Sequence, residues 1–153
     1  MIKVKQFIFN PFEENTYILY DETSECVIID AGCSDRNENT EISEYIAHYS
    51  LKPVRLLNTH CHIDHILGNA FISEYTGLMP ESHQDDIFLI HSAKEQGQMF
   101  GLEIEEPPVP VAFLNESTPV NFGNSSLSVI HVPGHSPGHT AFYSKADNLL
   151  FPG

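Results

Sequence analysis

The chain has 153 residues, of which 41% are hydrophobic and 18% are charged, and this balance predicts one globular domain rather than a disordered or fibrous chain. Its 21 acidic residues exceed its seven basic ones and give a formal net charge of −14, which disfavours a nucleic-acid partner because such a surface repels phosphate backbones. Three scattered cysteines, the absence of an apolar run of about 18 residues and the lack of a signal-peptide pattern predict a cytoplasmic protein that does not enter a membrane.

The first 32 residues contain three segments with the hydrophobic pattern of strands. These segments are IKVKQFIF, NTYILYD and ECVIIDAG, and the turn-like stretches NPFEEN and DETSE separate them. Short strands joined by such turns predict an antiparallel sheet at the start of the chain.

The middle of the chain alternates helical and strand patterns. Helical spacing of apolar residues over 42–49 predicts a first helix, and VRLLNTH predicts a buried strand after it. Two further helices are expected. In one, Leu67, Phe71 and Tyr75 line one face and Gly77 ends the helix; the other carries Ile87, Ile90 and Ala93 and ends near Gly97.

The last third of the chain returns to strands. GLEIEEPPVPVAFLNESTP predicts a long loop, and PVNF, LSVIHV, HTAFYS and NLLFPG predict strands joined by tight turns. The order of strands, helices and strands predicts a mixed α/β fold with helices packed on sheet faces.

One stretch, NTHCHIDH at residues 58–65, concentrates side chains that bind metals. Residues two apart in an extended segment point the same way, so His60 and His62 face one position, with Asp64 near that side and His65 reaching elsewhere. Nitrogen and oxygen ligands of this kind suit zinc, iron or manganese, and the absence of paired cysteines argues against a closed structural zinc site. The stretch therefore predicts two neighbouring metal positions.

A second polar cluster, HVPGHSPGHT at residues 131–140, also follows a predicted strand. Its prolines and glycines predict a rigid, sharply turned loop that fixes His135 and His139. One of these two histidines is expected to complete the ligand set of the first metal. Three protein nitrogens would leave a coordination position open for water, as in catalytic sites.

Together these motifs resemble a known family. THCHIDH followed by PGHSPGHT resembles the metallo-β-lactamase superfamily, and ENTYIL, IIDAG, GHSPGH and LLFPG resemble its glyoxalase II (hydroxyacylglutathione hydrolase) branch. The resemblance implies an αββα sandwich with a two-metal site at one sheet edge. It assigns His60, His62 and His135 to the first metal, Asp64 and His65 to the second, His139 to a supporting position, and Asp30 to supporting a ligand or shaping a loop.

The resemblance also implies an activity. It points to a metal-dependent hydrolase that cleaves a small-molecule thioester, such as a hydroxyacylglutathione, through a metal-bound hydroxide. The expected cofactors are two zinc ions per site, with iron or manganese as alternatives. Asp64 is expected to act in catalysis as well, by orienting the attacking hydroxide through a hydrogen bond. The sequence leaves the oligomeric state open.

The chain departs from the family pattern at its end. In the family, LLFPG is followed by an aspartate that bridges both metals and, later, by a last histidine, whereas the sequence stops at Gly153. We therefore expect a single metallo-β-lactamase-like domain over residues 1–153 that is C-terminally incomplete, ending after the first half and part of the second. By themselves these residues are expected to have little activity and to hold the second metal weakly.

Other functions remain open at this point. A mononuclear iron dioxygenase acting on a persulfide would use two of the histidines and the bridging aspartate as ligands. A metal-binding or partner-binding fragment without catalytic activity would instead use an exposed apolar sheet face as an interface. A β-lactamase is disfavoured because those enzymes usually act outside the cytoplasm and the sequence shows no export signal.

Overall fold

The computed structural model describes residues 1–153 and contains two β-sheets that face each other. The first sheet has six strands in chain order: β1 (Lys3–Phe9), β2 (Glu14–Tyr20), β3 (Glu25–Ile29), β4 (Lys52–Leu57), β5 (Pro80–Ser82) and β6 (Ala112–Phe113). The first three strands pair antiparallel, as the turn pattern predicts, and β3 to β6 pair parallel.

The second sheet has four antiparallel strands. They are β7 (Val120–Phe122), β8 (Ser125–His131), β9 (Thr140–Ser144) and β10 (Leu149–Phe151), and their order in the sheet is β10, β9, β8, β7. Leu127, Val129 and Phe142 point towards the first sheet, while Ser126 and Leu150 are exposed.

Alternation of side chains along the central strands produces two separate cores. Val27 and Ile29 of β3 point towards the second sheet, whereas Ile28 between them points towards the helices. Both faces of this sheet are therefore buried, which explains why its central strands read as nearly continuous apolar runs. The layers form the α/β/β part of the predicted αββα sandwich.

The helices on the first sheet begin and end at recognisable signals. Helix α1 (Arg36–His48) buries Ile42 and Ile46, and its N-cap residue Asp35 accepts a hydrogen bond from the backbone N–H of Glu38. The short α2 (Ile63–Ile66) contains the last three residues of the histidine-rich stretch. Helix α3 (Asn69–Thr76) ends at Gly77, whose positive φ of 78° matches the predicted stop.

The buried helix face predicted from Leu67, Phe71 and Tyr75 is wrong. Helix α3 begins only at Asn69, so Leu67 precedes it, and Tyr75 is 45% exposed. The fully buried side chains of α3 are those of Asn69 and Ile72. The shift arises because the chain turns between α2 and α3 at Gly68, whose N–H donates to the carbonyl of Ala31 (2.7 Å), and this turn resets the helical phase.

The single helix predicted over 87–97 is also wrong, because the structure contains two. Helix α4 (Ile87–His91) and helix α5 (Ala93–Met99) are separated at Ser92. The Ser92 hydroxyl donates to the carbonyls of Phe88 and Leu89, and this bonding competes with regular helix continuation.

None of the five helices combines the length and apolarity that a membrane span requires.

We expect the core between the sheets to depend strongly on Phe142. Its side chain is fully buried, so Phe142→Ala leaves a cavity and should lower the free energy of unfolding by about 3–5 kcal/mol in urea denaturation. Leu150→Ala is the matched control on the exposed face of the same sheet and should change it by less than about 0.5 kcal/mol. Equal losses in both variants would contradict this description of the core.

Candidate metal centre

Three imidazoles from two distant segments meet at one edge of the sandwich. His60 and His62 follow β4, and His135 lies in the loop between β8 and β9. One ring nitrogen of each lies within 4.8 Å of the others, and His62 Nδ1 is 3.1 Å from His135 Nε2. The structure therefore brings together the three histidines that the family resemblance assigns to the first metal.

The orientation of these rings suits a shared ligand. Their planes are nearly perpendicular, at 86° for His60 and His62, 79° for His60 and His135, and 86° for His62 and His135. Since a nitrogen lone pair lies in its ring plane, three such rings can direct their lone pairs to one point. Tetrahedral zinc with bonds of about 2.0–2.1 Å places its nitrogen ligands about 3.3 Å apart, close to the observed 3.1 Å.

Hydrogen bonds fix which nitrogen of His60 carries its proton. The Thr59 hydroxyl is 2.6 Å from Asp30 Oδ2 and 3.0 Å from His60 Nδ1. The hydroxyl has one hydrogen, which it donates to the carboxylate, so it accepts the Nδ1–H of His60. His60 Nε2 is then an unprotonated acceptor that is buried and has no hydrogen-bond partner. An orphaned acceptor of this kind is what a metal ion would satisfy.

Burial and neighbouring charges favour the neutral form of His60 and of His62. Burial and, after it, the charges of the neighbouring histidines, first of all His65, together lower the pKa of His60 to about 2. Burial and the nearby His135 also lower the pKa of His62. A neutral imidazole is the form that binds a metal, so these two side chains need not lose a proton first.

Asp64 and His65 lie beside this cluster and face each other. His65 Nε2 is 3.3 Å from Asp64 Oδ2, and its other nitrogen, Nδ1, is 3.0 Å from Asp30 Oδ2. Burial lowers the pKa of His65, but the charge of Asp30 and the hydrogen bonds to Asp30 and Asp64 outweigh burial and raise this pKa to about 10. The protonated His65 thus places a positive charge beside the Asp64 carboxylate. A metal cation could take the place of the proton on His65 Nε2.

Glu14 is a buried acid that the sequence analysis did not single out. The Thr16 hydroxyl lies within hydrogen-bond distance of two acceptors, the Asp30 carbonyl (2.6 Å) and Glu14 Oε2 (2.9 Å). Burial, and next the charge of Asp30, raise the pKa of Glu14 to about 9, consistent with a neutral acid. A neutral Glu14 leaves the charge of His65 balanced by Asp30 and Asp64.

Further polar residues hold the ligand segments in place. Asn58 donates from Nδ2 to the carbonyl of His65 (2.9 Å), and Asn69 donates to Asn58 Oδ1 (2.8 Å). Asp86 accepts hydrogen bonds from both histidine loops, that is, from the segment that contains His60 and His62 and from the loop at residues 131–140. Asn58 belongs to the histidine-rich stretch and could have been suspected, whereas nothing in the sequence distinguishes Asp86 from the other acids.

The remaining predicted residues take supporting positions. His139 donates from Nε2 to the carbonyl of Pro152, so this nitrogen is not free, and its ring lies 4.6 Å from that of His60. Asp30 contacts Thr59 and His65 as described above.

A separate group of metal-binding side chains, His83, Asp85 and His131, has a different geometry. The two rings are stacked at 4.2 Å with only 6° between their planes, so their lone pairs run in parallel planes and do not converge. His131 Nε2 donates to the carbonyl of Pro137, and His83 Nδ1 accepts the backbone N–H of Asp85. These imidazoles satisfy hydrogen bonds at the edge of the 131–140 loop.

Comparison with known proteins identifies one family. The model described as "Metallo-beta-lactamase superfamily" matches residues 10–153. Hydroxyacylglutathione hydrolase GloC of Haemophilus influenzae is 28% identical over 93% of this chain and 66% of its own length. The chain thus spans just under two thirds of that relative, and half or less of several others named hydroxyacylglutathione hydrolase.

Solved structures agree with the fold. The BLEG-1 B3 metallo-beta-lactamase matches 99% of this chain and 71% of its own chain, with a TM-score of 0.86 and 25% identity. TTHA1623 in a di-iron-bound form matches 98% of this chain and 71% of its own, with a TM-score of 0.84 and 33% identity.

We predict that His60 stays neutral in the metal-free protein. Nitrogen NMR of the imidazoles should show the Nδ1–H form of His60 and no protonation between about pH 5 and 8, because burial and the neighbouring histidines disfavour its charged form. A protonation midpoint near the ordinary value of 6.5, or the Nε2–H form, would refute the hydrogen-bond assignment.

Proposed function

Because the chain belongs to the metallo-beta-lactamase superfamily, we propose that it carries the metal ligands of a hydrolase that cleaves a thioester such as a hydroxyacylglutathione. The observation that carries this proposal is the convergence of three perpendicular imidazoles, one of which has a buried nitrogen without a partner. Such a set fits a catalytic metal better than a structural one, because three protein ligands leave a position open.

Five side chains would hold the metals. His60, His62 and His135 would bind the first ion, and Asp64 and His65 would contribute to the second. Zinc fits this set of nitrogen and oxygen donors, although the di-iron form of TTHA1623 favours testing iron as well. A bound divalent ion lowers the pKa of water towards about 7 and polarises a carbonyl group, so hydrolysis can proceed at neutral pH.

The other groups of the site orient these ligands. The chain of hydrogen bonds from Asp30 through Thr59 directs the Nε2 lone pair of His60 into the cluster. The Asp30 carboxylate also pairs with His65, whose Nδ1 lies 3.0 Å from Asp30 Oδ2 while its Nε2 faces Asp64. Burial raises the pKa of Asp64, but the hydrogen bond to His65 and its charge outweigh burial and lower it, so Asp64 remains a carboxylate. As a carboxylate it can accept a hydrogen bond from the attacking water.

The choice of a thioester rests on the relatives. GloC and several further relatives are named hydroxyacylglutathione hydrolases, and they match nearly the whole chain, although at modest identity. A soft thiolate leaving group is also compatible with zinc, which binds sulfur well. These two points favour a thioester over a β-lactam or a persulfide.

We expect the complete product of this reading frame to hydrolyse lactoylglutathione when loaded with zinc or iron. Removing the metal with a chelator should abolish hydrolysis, and adding it back should restore it. His60→Ala should reduce the rate to the uncatalysed background, because it removes a ligand of the first metal. His48→Ala is the control, since it removes an exposed imidazole on α1 and should leave the rate unchanged.

The same protein should also be tested with two other substrates: a persulfide, with oxygen consumption as the measurement, and a β-lactam, with its hydrolysis as the measurement. Oxygen consumption without thioester hydrolysis would replace the hydrolase with an iron dioxygenase, and β-lactam turnover alone would change the substrate class. A His60→Ala variant that stays active in the presence of chelator would overturn the proposed metal chemistry.

A further inference from the structure

Asp86 lies behind the histidine cluster and belongs to neither histidine loop. It ends the 3-10 turn at Gln84–Asp86, which follows β5, and its side chain is completely buried. A buried carboxylate is costly unless hydrogen bonds satisfy it. The partners that satisfy Asp86 therefore show what its charge holds in place.

Those partners come from both loops of the metal centre. Asp86 Oδ2 accepts the backbone N–H of Cys61 (3.0 Å), the residue between His60 and His62. The same oxygen accepts the hydroxyl of Ser136 (2.8 Å), the neighbour of His135, and Oδ1 accepts the backbone N–H of Gly138 (2.7 Å). One carboxylate thus connects two segments that are more than 70 residues apart in sequence.

The fit around this carboxylate is close. A Cβ at position 138 would lie 2.8 Å from Asp86 Cγ and 2.9 Å from its backbone nitrogen, so only glycine brings the N–H of residue 138 to this distance. Ser136 is also buried, at 2% exposure. No lysine or arginine pairs with Asp86, so its charge is stabilised by the donors of the two loops alone.

From this geometry we infer that Asp86 is a positioning residue: it clamps the loop of His60 and His62 to the loop of His135 before a metal binds, and thereby sets the affinity of the first metal site. The inference rests on the proposed metal-dependent function. Ligands held in place lose less conformational freedom on binding, so the clamp raises affinity without touching the ion. Removal of such supporting partners typically lowers metal affinity about 10–100-fold.

The test measures zinc affinity by competition with a chromogenic chelator, together with the melting temperature with and without zinc. Asp86→Ala should weaken zinc binding about 10–100-fold and shrink the rise in melting temperature that zinc causes. Asp86→Asn should be intermediate, because its one amide oxygen can still accept from Cys61 and Ser136 but not from Gly138. Glu41→Gln, the control, removes an exposed charge on α1, away from both loops, and should change neither quantity.

If Asp86→Ala does not fold, Ser136→Ala removes one of the same hydrogen bonds without stranding a buried charge and should weaken zinc binding by a smaller factor. A lower melting temperature with an unchanged zinc-induced rise would show a merely structural role and overturn the inference. So would unchanged zinc affinity in Asp86→Asn and Ser136→Ala. The proposed hydrolase fails separately, if the wild-type protein binds zinc but hydrolyses no thioester.

Discussion

Parallel pairing of β3 and β4 is the constraint on which the site depends. Because both strands end at the same edge, Asp30 at the end of β3 lies against Thr59 at the end of β4, and its carboxylate accepts both the backbone N–H and the hydroxyl of Thr59. These bonds fix the path of the chain into His60 and the direction of its free nitrogen. The strand pairing therefore determines which nitrogen of His60 is free to bind a metal, as well as where His60 lies.

Each buried acidic side chain at this edge of the sheet is either stabilised by hydrogen bonds or kept uncharged. Two buried carboxylates, Asp30 and Asp86, are each satisfied by hydrogen bonds from the loops that they support, while Glu14 is held neutral by burial. The positive partner in the metal-free protein is the proton of His65. The interior thus already compensates one positive charge at the place where the second cation is proposed. A divalent ion that replaced the His65 proton would therefore add one net positive charge rather than two.

Much of this arrangement could be predicted from the sequence, because the histidine spacing and the strand periods are local signals. Two rigid loops that follow strands of one sandwich predict that His135 or His139 joins His60 and His62, and the family resemblance selects His135. The break at Ser92 and the phase of α3 could not be predicted, since they follow from side-chain bonding and packing. Asp86 was missed for a similar reason: a buried acid looks like any of the 21 acids in a chain of net charge −14.

X-ray absorption spectroscopy of the zinc-loaded protein tests the central claim most directly, because it reports the atoms bound to the metal. The account predicts about three imidazole nitrogens at about 2.0–2.1 Å and no sulfur, with one imidazole fewer in His135→Ala. Sulfur scattering from the neighbouring Cys61, or an unchanged spectrum in His135→Ala, would contradict the convergence of the two loops on one ion.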